Sequence, residues 1–216
     1  MNPPVAEPQR ARIGRAVAAL IAALGWLALA IQLHILICSA PTITAAVVKF
    51  LGYFTILTNI LIAVSMTACA RRSGFFARPA VSAALATYIA TVLLVYEVLL
   101  RSLWQPTGLQ FVADILLHDI VPIAYVVWWL AFIPRGQLQW RDVWPWLLYP
   151  AGYALYAIVR GELLGDYPYP FIDVIALGAL PVALNVALLL VLFAGIGFLF
   201  VAVDRVIGRP VPRAAP

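Results

Sequence analysis

The stretch Lys49-Phe50-Leu51-Gly52-Tyr53-Phe54-Thr55-Ile56-Leu57-Thr58-Asn59 places a cluster of hydroxyl and amide side chains inside a long apolar run. Around it, 65% of the 216 residues are hydrophobic and 11% are charged. In soluble domains about a quarter of the residues are charged. The composition therefore predicts an integral membrane protein, in which the few polar side chains at membrane depth hold most of the information on function.

The apolar runs predict an all-α transmembrane bundle of six helices within residues 13–203. The predicted spans are 13–38, 45–70, 79–101, 108–133, 143–160 and 171–203. The first run is longer than the roughly 7–15 apolar residues of a cleaved signal, so we interpret it as a retained helix. The last exceeds the roughly 20 residues that cross a bilayer, so it must tilt, kink at Pro181 or project into water. Residues 1–12 are predicted to be a flexible N-terminus and residues 204–216 a tail.

The positive charges predict the orientation of the bundle. Three of the fourteen Lys and Arg residues, Lys49, Arg101 and Arg160, fall on one predicted side. The other eleven fall on the opposite side, which identifies that side as cytoplasmic. They are Arg10, Arg12, Arg15, Arg71, Arg72, Arg78, Arg135, Arg141, Arg205, Arg209 and Arg213. Both termini are therefore predicted to be cytoplasmic, and the net charge of +5 is explained by topology and not by binding of nucleic acid.

This topology collects the polar residues in the outer half of the bundle. Ionisable groups at membrane depth cost several kcal/mol unless they face partners or water, so the sequence predicts a shared polar cavity open to the outside. The candidate substrate-binding residues of this cavity are Tyr53, Thr58, Asn59, Glu97 and Asp173.

Two pairs spaced i,i+4 carry the candidate chemistry. Thr55 is one helical turn before Asn59, and a threonine hydroxyl attacks an acyl carbon when a nearby group accepts its proton. Asp114 is one turn before His118, where a carboxylate can orient an imidazole that acts as the base. Asp119 is the alternative orienting carboxylate. The alternative to a catalytic role is a purely structural one, in which the hydroxyls, the amide and the histidine only join neighbouring helices by hydrogen bonds.

Several other chemistries do not fit the sequence. Two histidines are too few for the about four axial ligands of a membrane cytochrome with two haems. The spacing of Cys and His does not fit zinc, and neither a glycine-rich phosphate loop nor a Gly-x-Ser-x-Gly motif occurs. We therefore predict neither a metal nor an organic cofactor.

Three motifs resemble a known family. They are Tyr53-Phe54-Thr55-Ile56-Leu57-Thr58-Asn59, His118-Asp119-Ile120-Val121-Pro122 and Tyr167-Pro168-Tyr169-Pro170-Phe171-Ile172-Asp173. Together with the span count, they are similar to bacterial six-helix membrane proteins related to the androgen-induced and androgen-dependent hydrolases of animals. The resemblance implies hydrolysis of fatty-acid esters of hydroxy fatty acids, a location in the bacterial inner membrane, and His118 as the base. It implies Thr55 as the nucleophile, with Thr58 as the alternative.

The leading hypothesis is a membrane hydrolase that acts on a lipid ester, with Thr55, His118 and Asp114 or Asp119 as catalytic residues. Asn59 or Thr58 would donate to the oxyanion. The alternatives are a small proton-coupled transporter, which requires a second polar vestibule from the cytoplasm, and a scaffold or lipid-binding protein without turnover.

Overall fold

The computed structural model describes residues 6–72 and 74–208. These residues are all-helical, and they contain no β-strand. The α-helices in chain order are α1 (Ala6–Ser39), α2 (Ile43–Phe50), α3 (Phe54–Ala70), α4 (Pro79–Val95), α5 (Gly108–Ile115), α6 (Val121–Phe132), α7 (Val143–Trp146), α8 (Leu148–Leu164), α9 (Val174–Leu177) and α10 (Ala179–Ile207). A π-helical turn at Tyr96–Leu100 follows α4, and a second at Leu116–Ile120 joins α5 to α6. The 3₁₀ turns are Arg101–Leu103, Trp140–Asp142 and Pro170–Ile172.

Within residues 6–72 and 74–208, four helical segments are long and apolar enough to cross a membrane. They are Gln9–Ser39, Pro79–Leu103, Gly108–Phe132 and Ala179–Ile207. The pair α2 and α3 makes a fifth if it counts as one span, although its two helices meet at an angle of 82°. The chain thus has the helices of a polytopic membrane protein.

The centre of the bundle is formed by α1, α3, α4 and α6, and α10 packs against α4. Helices α1 and α3 approach closely at Gly25, where an added Cβ would lie 3.3 Å from the Cβ of Ala63. Small residues allow such close packing between membrane helices. Between the two ends of the bundle the core is mainly apolar, with Ile21, Ile62 and Met66 buried. The buried hydroxyls of Ser65 and Thr87 donate to backbone carbonyls of their own helices.

The predicted span 45–70 is not one continuous helix. It bends between Phe50 and Phe54, and the backbone groups freed by the bend find partners on α8. The Tyr153 hydroxyl donates to the Gly52 carbonyl at 2.9 Å, and the Tyr156 hydroxyl donates to the Leu51 carbonyl at 3.3 Å. An added Cβ at Gly52 would lie 3.0 Å from Cζ of Arg160 and 3.0 Å from the Lys49 carbonyl oxygen, so a side chain here would crowd both groups.

Other boundaries also differ from the prediction. The N-terminal segment, predicted to be flexible over 1–12, is helical from Ala6 onward, because it is rich in helix-forming Ala, Gln and Arg. The predicted fifth span 143–160 is divided between α7 and α8. Pro181 causes no kink, because it lies in the first turn of α10, where helical backbone N–H groups have no carbonyl partner. Residues 1–5 and 209–216, with Arg209 and Arg213, lie outside the described residues.

Candidate functional site

A cavity of about 370 Å³ lies where α1 ends and α3 begins. Its walls come from α1, α2, α3, α5, both π-helical turns and the loop before α9. The structure brings four of the predicted residues to this cavity, namely Tyr53, Thr55, Asp114 and His118. The polar stretch around Thr55 therefore faces the same space as the histidine of a distant helix.

His118 is held by Asp114 and Tyr96. Its Nδ1 donates to the backbone carbonyl of Asp114 at 3.0 Å and lies 3.2 Å from the Asp114 carboxylate oxygen Oδ1. The Tyr96 hydroxyl donates to the other carboxylate oxygen, Oδ2, at 2.6 Å. The Tyr96 ring stacks on the imidazole with centroids 3.7 Å apart and an interplanar angle of 9°. Asp114 is thus the carboxylate in contact with the imidazole.

Both Tyr96 and His118 lie on π-helical turns, which occur frequently at functional sites. The second turn has a local cause in the sequence. Pro122 has no N–H to donate to the carbonyl of His118, so the regular helical pattern is interrupted where α6 begins. The backbone N–H of Val121 instead donates to the carbonyl of Leu116, five residues earlier.

Thr55 lies in the first turn of α3 and contacts Tyr169. Its hydroxyl is 3.4 Å from the Tyr169 hydroxyl, which also accepts the Thr55 backbone N–H at 3.3 Å. Burial raises the pKa of the Tyr169 phenol, so this group stays protonated at neutral pH and can donate a hydrogen bond. Within residues 6–72 and 74–208, no hydrogen bond joins the Thr55 hydroxyl to His118.

A second, smaller cavity of about 70 Å³ adjoins the first and is predominantly apolar. It lies among α4, α8 and α10, and Phe193 forms part of its wall. Thr55, Tyr96 and Tyr169 line both cavities. Thr55 therefore lies between a polar space and an apolar one.

Thr58 and Asn59 are fully buried and line neither cavity. The Thr58 hydroxyl is 3.2 Å from the hydroxyl of Tyr149. The Asn59 amide donates to the carbonyls of Thr55 at 2.9 Å and Leu117 at 3.1 Å, which ties α3 to the second π-helical turn. Both side chains join helices in this structure, and the Asn59 amide group is already engaged by two carbonyls.

The remaining candidate carboxylates also bind groups outside the cavity. Glu97 pairs with Arg101, as its i,i+4 spacing predicts. Asp119 accepts from the same guanidinium at 2.7 and 2.8 Å, and it has no hydrogen bond to His118 within the described residues. Asp173 caps the short helix α9 by accepting the Ala176 backbone N–H at 2.9 Å.

Sequence reasoning missed Tyr96 and Tyr169 as parts of this site. Tyr169 lies within the motif Tyr167–Asp173, so the sequence points to its segment but not to its role. Tyr96 belongs to no motif, and its only signal is its position beside Glu97 in an apolar helix. Among the described residues, no group of three or more His, Cys, Asp and Glu side chains is placed to hold a metal ion.

Comparisons with protein-family models, curated proteins and solved structures gave no match to this chain. The resemblance to the six-helix membrane hydrolases therefore stays a prediction from three short motifs.

Proposed function

We propose that this protein is an integral membrane hydrolase of a lipid ester, in which Thr55 is the nucleophile and His118 the base. The observation that carries the proposal is that both side chains line the same cavity, with His118 anchored by a buried carboxylate. Asp114 positions the imidazole and would stabilise its protonated form. The contacts of Asp119 with Arg101 make it the weaker candidate for that role.

In the proposed reaction, Thr55 attacks the ester carbonyl and His118 accepts its proton through Nε2, because Nδ1 faces Asp114. His118 then returns the proton to the leaving alcohol, and water releases the fatty acid from Thr55. The Thr55 hydroxyl must first turn from Tyr169 toward His118, or a bridging water must carry the proton. Tyr169 replaces Thr58 and Asn59 as the proposed donor to the oxyanion, because its hydroxyl already lies beside the attacking oxygen.

The two adjoining cavities support an amphiphilic substrate. The first carbons of an acyl chain would occupy the apolar space next to Phe193, and the polar part of the ester would lie in the larger cavity, which Lys49 also lines. The scissile bond would then lie at their boundary, beside Thr55. Such a molecule would enter from the surrounding lipid.

We further propose six spans, in which α2 and α3 form the second and α7 and α8 the fifth. Both termini then lie in the cytoplasm, as the distribution of arginine predicts, and the family resemblance favours a bacterial inner membrane.

A proton-coupled carrier is less well supported. A carrier needs a polar path from one side to the other, whereas the middle of the bundle contains the buried apolar side chains of Ile21, Ile62 and Met66. A scaffold without turnover would account for Thr58 and Asn59, but it has no need for an anchored histidine beside a cavity.

Covalent labelling with a fluorophosphonate probe tests the proposal, because this reagent reacts with activated hydroxyl groups. We expect labelling of the purified wild-type protein in detergent, and its loss in Thr55→Val and His118→Ala. Thr58→Val is the matched control and should keep its labelling, because Thr58 lines neither cavity. Size-exclusion elution verifies that each variant is folded.

Persistent labelling of folded Thr55→Val would exclude Thr55 as the nucleophile. A folded wild-type protein that resists several probes would favour the scaffold instead.

A further inference from the structure

A third cavity, of about 980 Å³, lies at the opposite end of α1 from the cavity of Thr55. Arg12 lines this third cavity and Gln32 lines the first, and twenty helical residues span about 30 Å. That distance matches the roughly 30 Å hydrocarbon core of a bilayer. The two cavities therefore lie near opposite membrane interfaces.

Four arginines line the third cavity, which we call the arginine cleft. Arg10, Arg12 and Arg15 come from α1, and Arg72 follows α3. Among residues 9–72 and 74–208, whose side chains are described, no Asp or Glu lines the cleft, and none of these carboxylates forms an ion pair with the four arginines. Arg10 instead donates to the Ala131 carbonyl at the end of α6. The cleft thus concentrates the positive charge of four arginines.

The floor of the arginine cleft is apolar and aromatic. Trp128 and Phe132 line it from α6, and the Trp128 indole N–H donates to the Gly14 carbonyl at 2.9 Å. An added Cβ at Gly14 would lie 2.9 Å from the Phe132 ring, so glycine lets this ring lie against α1. Tryptophan is enriched at the interface between lipid and water.

Arg72 adds an independent observation, because its φ of +69° is in the left-handed region. Glycine adopts this conformation more readily after a helix. An arginine here strains the backbone, and it brings a guanidinium to the wall of the cleft.

We propose that the arginine cleft binds the headgroup of an anionic phospholipid. The phosphate would be held by Arg12, Arg15 and Arg72, since each guanidinium group can donate two parallel hydrogen bonds to phosphate oxygens. Trp128 and Phe132 would contact the glycerol and the first part of the acyl chains. The apolar floor and the position at a membrane interface favour a lipid over a free phosphate ion, and this binding does not depend on hydrolysis at Thr55.

Native mass spectrometry of the full-length protein tests the proposal by titration with phosphatidylglycerol or phosphatidylcholine. We expect one tightly retained phosphatidylglycerol and much weaker retention of phosphatidylcholine. The triple variant Arg12→Gln/Arg15→Gln/Arg72→Gln should bind phosphatidylglycerol about a hundredfold more weakly, because each arginine near an anionic headgroup contributes on the order of fivefold. The single variant Arg12→Gln should show a smaller loss of affinity for phosphatidylglycerol. It replaces the triple variant in the test if the triple variant does not fold.

The matched control Arg78→Gln/Arg141→Gln/Arg205→Gln removes the same charge from described residues outside the cleft. It should retain the wild-type affinity. Equal losses of affinity in the two triple variants would overturn the proposal, because the net charge alone would then explain the retention of the lipid. Unchanged affinity in both Arg12→Gln and the cleft triple variant would also overturn it, because the lipid would then bind to another surface. Displacement of the lipid by millimolar inorganic phosphate would assign the cleft to a free anion instead.

Discussion

At the scale of single residues, the site depends on the two groups that contact the carboxylate of Asp114. This carboxylate is only 2% exposed, and it lies between the Tyr96 hydroxyl and the imidazole of His118. A buried charge is stable only when it has such partners. Tyr96 therefore supports the site twice, through its hydrogen bond to Asp114 and through its ring on His118.

We expect Tyr96→Phe to lower the free energy of unfolding by about 1.5–3 kcal/mol, which is typical of a hydrogen bond to a charged group. Phenylalanine keeps the ring, so the stacking on His118 remains. Denaturant unfolding in detergent measures the change, and fluorophosphonate labelling should also become slower. Tyr156→Phe is the control, because its hydroxyl makes a longer bond of 3.3 Å at an exposed position. Equal stability losses in the two variants would show that the hydrogen bond to Asp114 stabilises the protein no more than an exposed hydrogen bond does.

At the scale of helices and loops, the segment between α8 and α9 delivers Tyr169 to Thr55. This segment is packed onto α8 at Gly161, where an added Cβ would lie only 2.1 Å from the Tyr167 ring. The Tyr167 hydroxyl also donates to Glu162 at 2.7 Å. The absence of a side chain at Gly161 thus sets the path of the loop two residues before Tyr169.

We predict that Gly161→Ala destabilises the protein by about 1–3 kcal/mol, as overpacking does, and that it reduces probe labelling by displacing Tyr169. Gly152→Ala, on the same helix, is the matched control, because an added Cβ there meets nothing within 4 Å. It should be neutral or stabilise the helix by up to about 1 kcal/mol. Denaturant unfolding and probe labelling are measured for both variants and the wild type, and only Gly161→Ala should lose stability and labelling. A Gly161→Ala protein with the stability and labelling of the wild type would contradict this account of the loop.

At the scale of the whole molecule, the proposed topology places the cavity of Thr55 on the outer side and the arginine cleft on the cytoplasmic side. The two cysteines report on this arrangement, because Cys38 is exposed at the end of α1 whereas Cys69 is buried near the end of α3. They lie toward opposite ends of the bundle.

We expect a membrane-impermeant maleimide to label Cys38 in sealed right-side-out vesicles and to leave Cys69 unmodified. Cys38→Ser should abolish the labelling, and Cys69→Ser should not change it. Labelling of Cys38 only in inside-out vesicles would reverse the proposed orientation.

Local patterns in the sequence determined the class of the protein and part of its site. Hydropathy identified the apolar helices because the free energy of placing a segment in lipid depends mainly on its own composition. The i,i+4 spacing likewise predicted that Asp114 lies beside His118 and Glu97 beside Arg101, since the helix itself brings such residues together.

Only the tertiary structure decided which distant groups meet. Tyr169 reaches Thr55 across 114 positions of the chain, and Asp119 turns to Arg101 instead of His118. The bend before Thr55 likewise relies on tyrosines of α8 that take up the freed carbonyls. These contacts arise from the packing of helices far apart in sequence, and no local pattern specifies which side chains that packing brings within hydrogen-bonding distance.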